Sequence, residues 1–457
     1  MSDQIPAAEA GVEQSMRRVA MTALAGTSIE WYDFFIYGTA AALVFPTAFF
    51  SSGMSETVAL IAAFGTFAVG FLARPIGGII FGHYGDRVGR KAALVTALMM
   101  MGVATTLIGL LPTYATIGAL APVLLVILRF IQGLAVGGQW GGAMLLVTEN
   151  APQEKRGYYG AYAQAGAAVG LILANLAFLG VSAMLTDEEF MAWGWRLPFL
   201  ASVVLIGVSI YVQITLEDTP AFKRLKEAKA AKDLAEPTDP ALVEIALTAS
   251  RSPIIEALVL YPKQIVLAAG AFLSVQVSFY ILVAWVVAYG SSSSGLGLSR
   301  DVMLSAVLIS TAAQLPALFL AAAWSDRHGR RGVYMAGAVL LGLWGFALFP
   351  LMETGEFLWI TVGLAGGQIF LAMMYGPQAA FLSELFSVEV RYSGASLGYQ
   401  LGAILGGALA PTIATILWGE FGVIYISVYI ALASVLTLIS VWMLTETRGT
   451  DLADVKS

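Results

Sequence analysis

The segment Gly82–Lys91, with the sequence GHYGDRVGRK, lies between two long apolar stretches and recurs later in the chain. The later copy is Ser325–Arg331, SDRHGRR, whose Asp326 follows Asp86 by 240 residues. A second pair of polar links repeats in the same order, because Glu149 and Arg156 are seven residues apart, as are Glu384 and Arg391. Repeats of this kind indicate two homologous halves.

Composition places the chain in a membrane. Of its 457 residues 58% are hydrophobic and 12% are charged, whereas a soluble domain has about 25% charged residues. The 48 glycines allow helices to approach closely in lipid. Cysteine is absent, which excludes disulfides, thiolate metal sites and thiol nucleophiles. Both histidines lie in the repeated segments, so we expect no enzyme, no metal site and no cofactor.

The apolar pattern predicts an all-α membrane protein with twelve transmembrane helices, since about 20 apolar residues cross a bilayer. They form two six-helix bundles related by a parallel repeat, residues 1–216 and 263–457, joined by a cytoplasmic linker at 217–262. The predicted spans are 20–48, 57–82, 92–111, 117–145, 157–184, 195–216, 264–290, 302–324, 332–352, 357–382, 393–418 and 422–444.

Basic residues predict the orientation. Of the 24 Lys and Arg residues, 20 fall in the termini and links of one side, which the positive-inside rule assigns to the cytoplasm. Both termini and the linker are therefore predicted to be cytoplasmic. We expect a monomeric multi-pass protein of a bacterial inner membrane, in contact with the lipid bilayer and without a nucleic-acid partner.

Four ionisable residues fall inside predicted spans, where charge is costly and usually marks a transport pathway. Glu30 and Asp33 are three residues apart on the first span. Two carboxyl groups in a low-dielectric site repel each other when both are charged, which favours proton uptake. Arg74 lies at a similar depth, and Arg129 lies nearer the outer half. Arginine offers a planar fork to a carboxylate, although either arginine could instead neutralise an acid in a structural pair.

Polar and aromatic residues in other spans complete the predicted substrate site. Many such residues are ordinary contacts between helices, and only some line a cavity. The tripeptide Tyr375-Gly376-Pro377 predicts a break in the tenth span. The candidate substrate residues, besides the two arginines, are Tyr37, Gln132, Gln164, Gln276, Tyr280, Gln314, Gln368 and Tyr375.

The repeated cytoplasmic segments are predicted to act as gates. Their aspartates offer partners to neighbouring arginines at helix ends, and such pairs could lock one conformation and release another. The candidate gating residues are Asp86, Arg87, Arg90, Asp326, Arg327, Arg330, Glu149, Arg156, Glu384 and Arg391.

The duplicated motif Gly82-x-x-Gly85-Asp86-Arg87-x-Gly89-Arg90-Lys91 resembles the signature loop of the major facilitator superfamily. Further segments resemble its metabolite:proton symporter family. They are Glu30–Phe34, Arg74-Pro75-x-Gly77-Gly78, Arg129-x-x-Gln132-Gly133, Gly137-Gly138-x-Trp140-Gly141-Gly142 and Trp193-Gly194-Trp195-Arg196-x-Pro198-Phe199. Thr186-Asp187-Glu188, Tyr392-Ser393-Gly394 and Gly398-Tyr399-Gln400 are most similar to the shikimate and 2-oxoglutarate branch.

The resemblance implies proton-coupled uptake of a small organic acid by alternating access, with a carboxylate metabolite and protons as partners. Relatives commonly carry Glu where this chain has Gln139, which cannot titrate. An uncoupled facilitator or exporter therefore stays open, as does a symporter of zwitterionic osmolytes such as proline and betaine. A membrane receptor has little support, because no cytoplasmic output domain is evident.

Overall fold

The computed structural model describes residues 7–88, 90–137, 139–215, 253–387 and 390–450, and within these ranges the chain forms helices and no strand. The first half contains α1 Ala7–Leu43, α2 Phe45–Ala48, α3 Glu56–Val88, α4 Arg90–Leu110, α5 Tyr114–Ile117, α6 Leu120–Val136, α7 Gln139–Asn150, α8 Arg156–Met184, α9 Asp187–Ala192 and α10 Leu197–Thr215.

The second half repeats this order. It contains α11 Pro253–Leu260, α12 Pro262–Tyr280, α13 Val286–Ser291, α14 Arg300–His328, α15 Arg330–Glu353, α16 Phe357–Ser383, α17 Arg391–Gly402, α18 Ala410–Phe421 and α19 Ile424–Met443. Two π-helical turns, Ile281–Trp285 and Ala403–Ala408, join α12 to α13 and α17 to α18.

The helices confirm the predicted fold class of twelve membrane crossings in two repeated bundles. Within the described ranges, eight helical stretches are long and apolar enough to cross a membrane. Shorter apolar helices at Val95–Leu110 and Leu120–Val136, together with α1 and α10, account for the other four crossings. Most of the linker predicted at 217–262 lies outside the described residues, so the domain boundaries stay a prediction.

The predicted break in the tenth span is wrong. α16 runs without interruption through Tyr375-Gly376-Pro377. A membrane helix tolerates an internal proline where its neighbours satisfy the released backbone groups. Gly376 has a packing role instead, because a Cβ there would overlap the carbonyl oxygen of Leu318 on α14. The irregular backbone lies instead in the two π-helical turns that follow α12 and α17, and such turns are frequent at functional sites.

Helices α3 and α6 touch backbone to backbone. A Cβ at Gly77 would overlap the carbonyl oxygen of Leu134, and a Cβ at Gly133 would overlap that of Gly70. Lipid supplies no hydrophobic drive between helices, so small residues that permit such contact hold the bundle together. This contact fixes the relative positions of Arg74 on α3 and Arg129 on α6.

We expect Gly77→Ala to destabilise the protein, because the added methyl group has no space against Leu134. Overpacking costs about 1–3 kcal/mol, and thermal unfolding in detergent measures it. Gly65→Ala on the same helix is the matched control, since no atom lies within 4 Å of its Cβ position. A control that unfolds as early as Gly77→Ala would contradict the packing argument.

Candidate functional site

Two buried arginines flank one aromatic ring in the first bundle. The guanidinium carbons of Arg74 and Arg129 each lie 4.5 Å from the centre of the Phe34 ring. The two carbons are therefore at most 9.0 Å apart. The arginine residues are 2% and 1% exposed, respectively. Two fixed positive charges thus share one low-dielectric site.

Both guanidinium groups lie over further aromatic rings. Arg74 also lies over Phe71, at 4.4 Å, and over Trp31, at 5.8 Å. Arg129 lies over Tyr37 and Phe67, at 4.1 and 4.9 Å. Such cation–π contacts stabilise a desolvated cation by about 2 kcal/mol or more each. They do not satisfy its N–H groups.

Each guanidinium retains N–H groups without an acceptor. The Nε and Nη2 atoms of Arg74 and of Arg129 are buried and have no hydrogen-bond partner. Buried polar groups in native proteins are nearly always satisfied, so each exception calls for an explanation. An anion that arrives from outside the protein would supply the acceptors.

Small cavities adjoin the arginines. One, with a volume of about 10 Å³ and so room for about one water molecule, is lined by both arginines together with Phe34, Gln132 and neighbouring residues of α3, α4 and α6. The other, also of about 10 Å³, lies between the halves and is lined by Glu30, Trp31, Phe34, Arg74, Val136, Tyr399 and Gln400. Glu30, which is only 7% exposed, lines the same cavity as Arg74.

Tyr280 extends the site into the second bundle. Its ring centre lies 5.3 Å from that of Phe71 and 6.1 Å from that of Phe34. Its buried hydroxyl has no hydrogen-bond partner. Gln400 reaches the first bundle as well, since its Nε2 donates to the carbonyl of Gly137 at 3.3 Å. The cavity is therefore bounded by both halves of the molecule.

Asp33 does not join Glu30 in this cavity, contrary to the expected acidic pair. Its carboxylate accepts hydrogen bonds from Ser202 Oγ, at 2.6 Å, and from Thr105 Oγ1, at 3.2 Å. Residues three apart on a helix differ by about 60° in direction, so the two acids face different neighbours. Asp33 lies among α1, α4 and α10, inside the first bundle.

The other candidate substrate residues lie at three places: beside Arg129, between the halves, and inside the second bundle. Tyr37 and Gln132 lie at Arg129, where the Tyr37 hydroxyl donates to Thr66 at 2.7 Å. Gln164 donates to the Tyr375 carbonyl across the two halves, at 3.3 Å. Gln276 is buried on α12. Gln314 and Gln368 are fully buried on α14 and α16, and neither amide has a partner for its oxygen or nitrogen.

A buried carboxylate joins the halves at one face. Glu384 Oε1 forms ion pairs with Arg156 of the first half, at 3.0 Å, and with Arg330 of the second, at 3.3 Å. Asp326 also pairs with Arg330 and accepts the backbone N–H groups of Gly157 and Tyr158, each at 2.8 Å. Four predicted gating residues thus meet in one cluster.

The remaining gating candidates lie around this cluster or beyond the described side chains. Arg391 pairs with Glu149 at 3.3 Å and so links the halves a second time. Arg327 is exposed and stands outside the cluster. Asp86, Arg87 and Arg90, and also Gln139, lie outside the residues whose side chains the structure describes.

The chain after α19 crosses the same face. Glu446 accepts the backbone N–H groups of Arg330 and Arg331 at the start of α15, at 2.8 and 3.0 Å. Burial would raise the pKa of Glu446, but these bonds and those from Arg448 and Thr447 outweigh it and lower the pKa. The Thr447 hydroxyl donates to Glu384 at 2.7 Å, which ties the tail to the ion-pair cluster.

Contacts between the halves also close the opposite face, and the sequence analysis did not predict this closure. Arg300 on α14 lies 3.7 Å from the Phe190 ring centre and donates to Ser182 and Asp187 of the first half, at 2.8 and 2.7 Å. On another edge, Glu56 accepts the hydroxyls of Ser292, Ser293 and Ser294, at 2.6, 3.2 and 3.4 Å. Hydrogen-bonded contacts therefore join the halves at both faces.

A signal for this closure was present at one residue only. Arg300 is one of two basic residues assigned to the acidic side, and a lone cation there could have drawn attention. The serines and threonines of the site gave none, because such residues are common contacts between membrane helices.

Comparison with known proteins agrees with this architecture. Residues 19–457 match the family described as sugar (and other) transporter, so the chain belongs to that family of major facilitator transporters. The inner membrane metabolite transport protein YhjE of Escherichia coli (strain K12) is 41% identical over 437 residues, 95% of each chain. The protein is thus a multi-pass membrane transporter and not an enzyme.

Two relatives have named substrates. The shikimate transporter of E. coli is 40% identical over 402 residues, 88% of this chain and 87% of that one. The proline/betaine transporter of E. coli is 31% identical over 402 residues, 87% of this chain and 77% of that one. A structure of the xylose transporter XylE from E. coli, in a partially occluded inward-open conformation, shares the fold. It covers 96% of this chain and 99% of that one, with a TM-score of 0.71 and 20% identity.

We expect Glu384→Gln to loosen the closure that Glu384 forms. The substitution leaves Arg156 and Arg330 buried with one anion fewer, and such broken pairs cost about 3–5 kcal/mol. The chain has no cysteine, so Ala379→Cys, which faces Gly160 across the halves, is a single reporter. Its rate of maleimide labelling should rise at least about tenfold in the Glu384→Gln background.

The exposed neighbour Glu154→Gln, in the same reporter background, is the control and should leave the rate unchanged. Equal labelling of both variants would show that Glu384 does not hold the halves together.

Proposed function

We propose that this transporter imports a small organic acid together with protons, by alternating access. The observation that carries the proposal is the pair of buried guanidinium groups whose Nε and Nη2 atoms lack acceptors; both line one small cavity, and Arg74 also lines the cavity between the halves. A carboxylate fits these groups in charge and in planar geometry, and charge-assisted bonds of this kind are the strong ones.

Charge balance supports the coupling to protons. The central region holds two cations, Arg74 and Arg129, and two acids, Glu30 and Asp33, all at most 7% exposed. A monocarboxylate would add one negative charge to a low-dielectric site, where uncompensated charge is costly. One proton taken up with each carboxylate restores the balance. We assign the proton to Asp33 or Glu30 and the carboxylate to Arg74 and Arg129.

The two closures support alternating access. Breaking the Glu384 cluster would open one face, and breaking the Arg300 and Glu56 contacts would open the other. We assign the gating roles on this basis. From the distribution of basic residues, we assign the Glu384 face and both termini to the cytoplasm.

Osmolytes are a weaker fit, although a proline/betaine transporter is among the relatives. Quaternary ammonium groups are recognised by open aromatic faces. Here Phe34 is within 4.5 Å of both guanidinium carbons, and Phe71 lies 4.4 Å from that of Arg74. The arginines already use these faces, so the site favours an anion.

Transport assays in proteoliposomes test the proposal. The labelled panel is shikimate, 2-oxoglutarate, proline, glycine betaine and xylose, with and without an inward proton gradient. We expect one carboxylate to accumulate and a protonophore to abolish its accumulation. Equilibration that ignores the gradient would establish a facilitator instead, and accumulation of proline or betaine would establish an osmolyte symporter.

We expect Arg74→Ala to weaken carboxylate binding more than Arg74→Lys. Lysine keeps the charge but not the planar fork, so its loss should be about tenfold, and alanine should lose about 100-fold or more. Binding is measured with the acid that the wild type accumulates in the transport assay, as the protection that this acid gives the Ala379→Cys reporter against maleimide labelling. Equal affinity in the two variants would count against recognition by the guanidinium fork.

We expect Asp33→Asn or Glu30→Gln to abolish proton-driven accumulation, because an amide cannot take up a proton at the position of the acid that carries it. Glu30→Gln is made in parallel, since either acid could carry the proton. Glu353→Gln, an exposed acid, is the control and should accumulate substrate like the wild type. If the double variant of Glu30 and Asp33 still accumulates the acid, the assigned proton sites are wrong.

A further inference from the structure

We infer that Thr105 is a positioning residue that transmits the protonation state of Asp33 to Arg129. This inference rests on the proposed function. Asp33 has no direct contact with Arg129 in the described residues, yet an unbroken chain of hydrogen bonds joins them. Arg129 Nη1 donates to Gln132 Oε1 at 2.8 Å, and Gln132 Nε2 donates to Thr105 Oγ1 at 2.6 Å. Thr105 Oγ1 then reaches Asp33 Oδ2 at 3.2 Å.

Every member of this chain is out of contact with solvent. Thr105 is fully buried, and Asp33, Gln132 and Arg129 are at most 2% exposed. Ser202 is also fully buried and donates to the other carboxylate oxygen of Asp33, at 2.6 Å. Water therefore does not compete for these bonds, and a change at one end must be taken up along the chain.

Thr105 has two acceptors for one proton. Its hydroxyl lies 2.8 Å from the carbonyl of Met101 and 3.2 Å from Asp33, and a threonine hydroxyl carries a single hydrogen. Bonds to a charged carboxylate are stronger than bonds to a carbonyl, so charged Asp33 draws the hydroxyl proton towards itself. The hydroxyl turns back to Met101 when Asp33 no longer needs a donor.

The direction of donation explains the coupling. With Asp33 charged, the donors from Arg129, Gln132 and Thr105 all point towards the carboxylate, and hydrogen bonds in such a chain reinforce one another. When Asp33 takes up a proton, its own O–H can donate to Thr105, which reverses the last link. The chain then holds Arg129 less strongly, and its Nη1 group becomes available to a carboxylate substrate.

The other groups around Asp33 are uncharged or already hydrogen-bonded to other partners. On its own helix, the Tyr32 hydroxyl donates to the Pro198 carbonyl at 3.0 Å. The helix α4 contributes Thr105, α10 contributes Ser202, and α6 contributes Arg129 through Gln132. Glu30 lines the cavity between the halves, and Arg74 lines both cavities. Among the described residues, the Thr105 chain is thus the route by which a cation contacts Asp33.

The test compares the pH dependence of substrate affinity in three variants. The probe is labelled shikimate if the wild type accumulates it, and otherwise the acid of the panel that it does accumulate. Affinity is measured by counterflow with equal pH on both sides, at an acidic and at a basic pH. Wild type should bind more tightly at acidic pH, by about tenfold for one charge-assisted hydrogen bond. Thr105→Val should reduce this ratio to about one and Thr105→Ser should restore it.

Two further variants address stability. Thr148→Val removes another fully buried hydroxyl that bonds only its own helix, at Met144, and should keep the wild-type ratio. Thr105→Ala removes the same hydroxyl as valine without adding bulk, and it is used if Thr105→Val is not recovered folded.

The outcomes separate this inference from the proposed function. A wild-type pH ratio in Thr105→Val, or in Thr105→Ala where that variant replaces it, would overturn the role of Thr105, even if Asp33→Asn abolishes that ratio. Retention of the ratio in Asp33→Asn would overturn the assignment of the proton to Asp33 and, with it, the relay, while Glu30 would remain the proton site of the proposed function. A wild type that accumulates no substrate with protons would overturn the proposed function, and the relay with it.

Discussion

The burial of two guanidinium groups on the faces of one phenylalanine ring governs the rest of the structure. A bare cation in a low-dielectric interior costs several kcal/mol even after relaxation. Arg74 and Arg129 are tolerated because Phe34, Phe71 and Tyr37 present their faces and because two buried acids lie on α1. The compensation is incomplete, since four N–H-bearing atoms lack acceptors. That deficit is the reason why we propose an anion as the substrate.

The acids compensate the arginines in different ways. Glu30 shares a cavity with Arg74 and is reached from the interface between the halves. Asp33 is held by two hydroxyls and reaches Arg129 only through Gln132 and Thr105. One acid can therefore respond to the open pathway, while the other responds through the interior of a single bundle. The two carboxyl groups therefore have distinct environments, although they are only three residues apart on one helix.

Much of the architecture could be predicted from the sequence because lipid imposes it. Apolar length sets each crossing, and the repeated segments at Asp86 and Asp326 indicate two halves. Prediction was less successful where side-chain direction decides the outcome. Three residues along a helix turn Asp33 away from Glu30, and only coordinates show which neighbour each one meets. The proline in α16 was misjudged for a related reason, since neighbouring groups determine whether a helix continues through it.

The backbone contact between α3 and α6 has a consequence for binding on the two sides of the membrane. A Cβ at Gly70 would overlap the guanidinium of Arg129, and one at Gly137 would overlap the carbonyl of Arg74 itself. The two arginines thus belong to one rigid block that keeps its internal geometry in whichever direction the cavity opens. The block would present the same anion receptor to both compartments. Any difference in affinity between them must then come from the residues that approach from the second half, Tyr280 and Gln400.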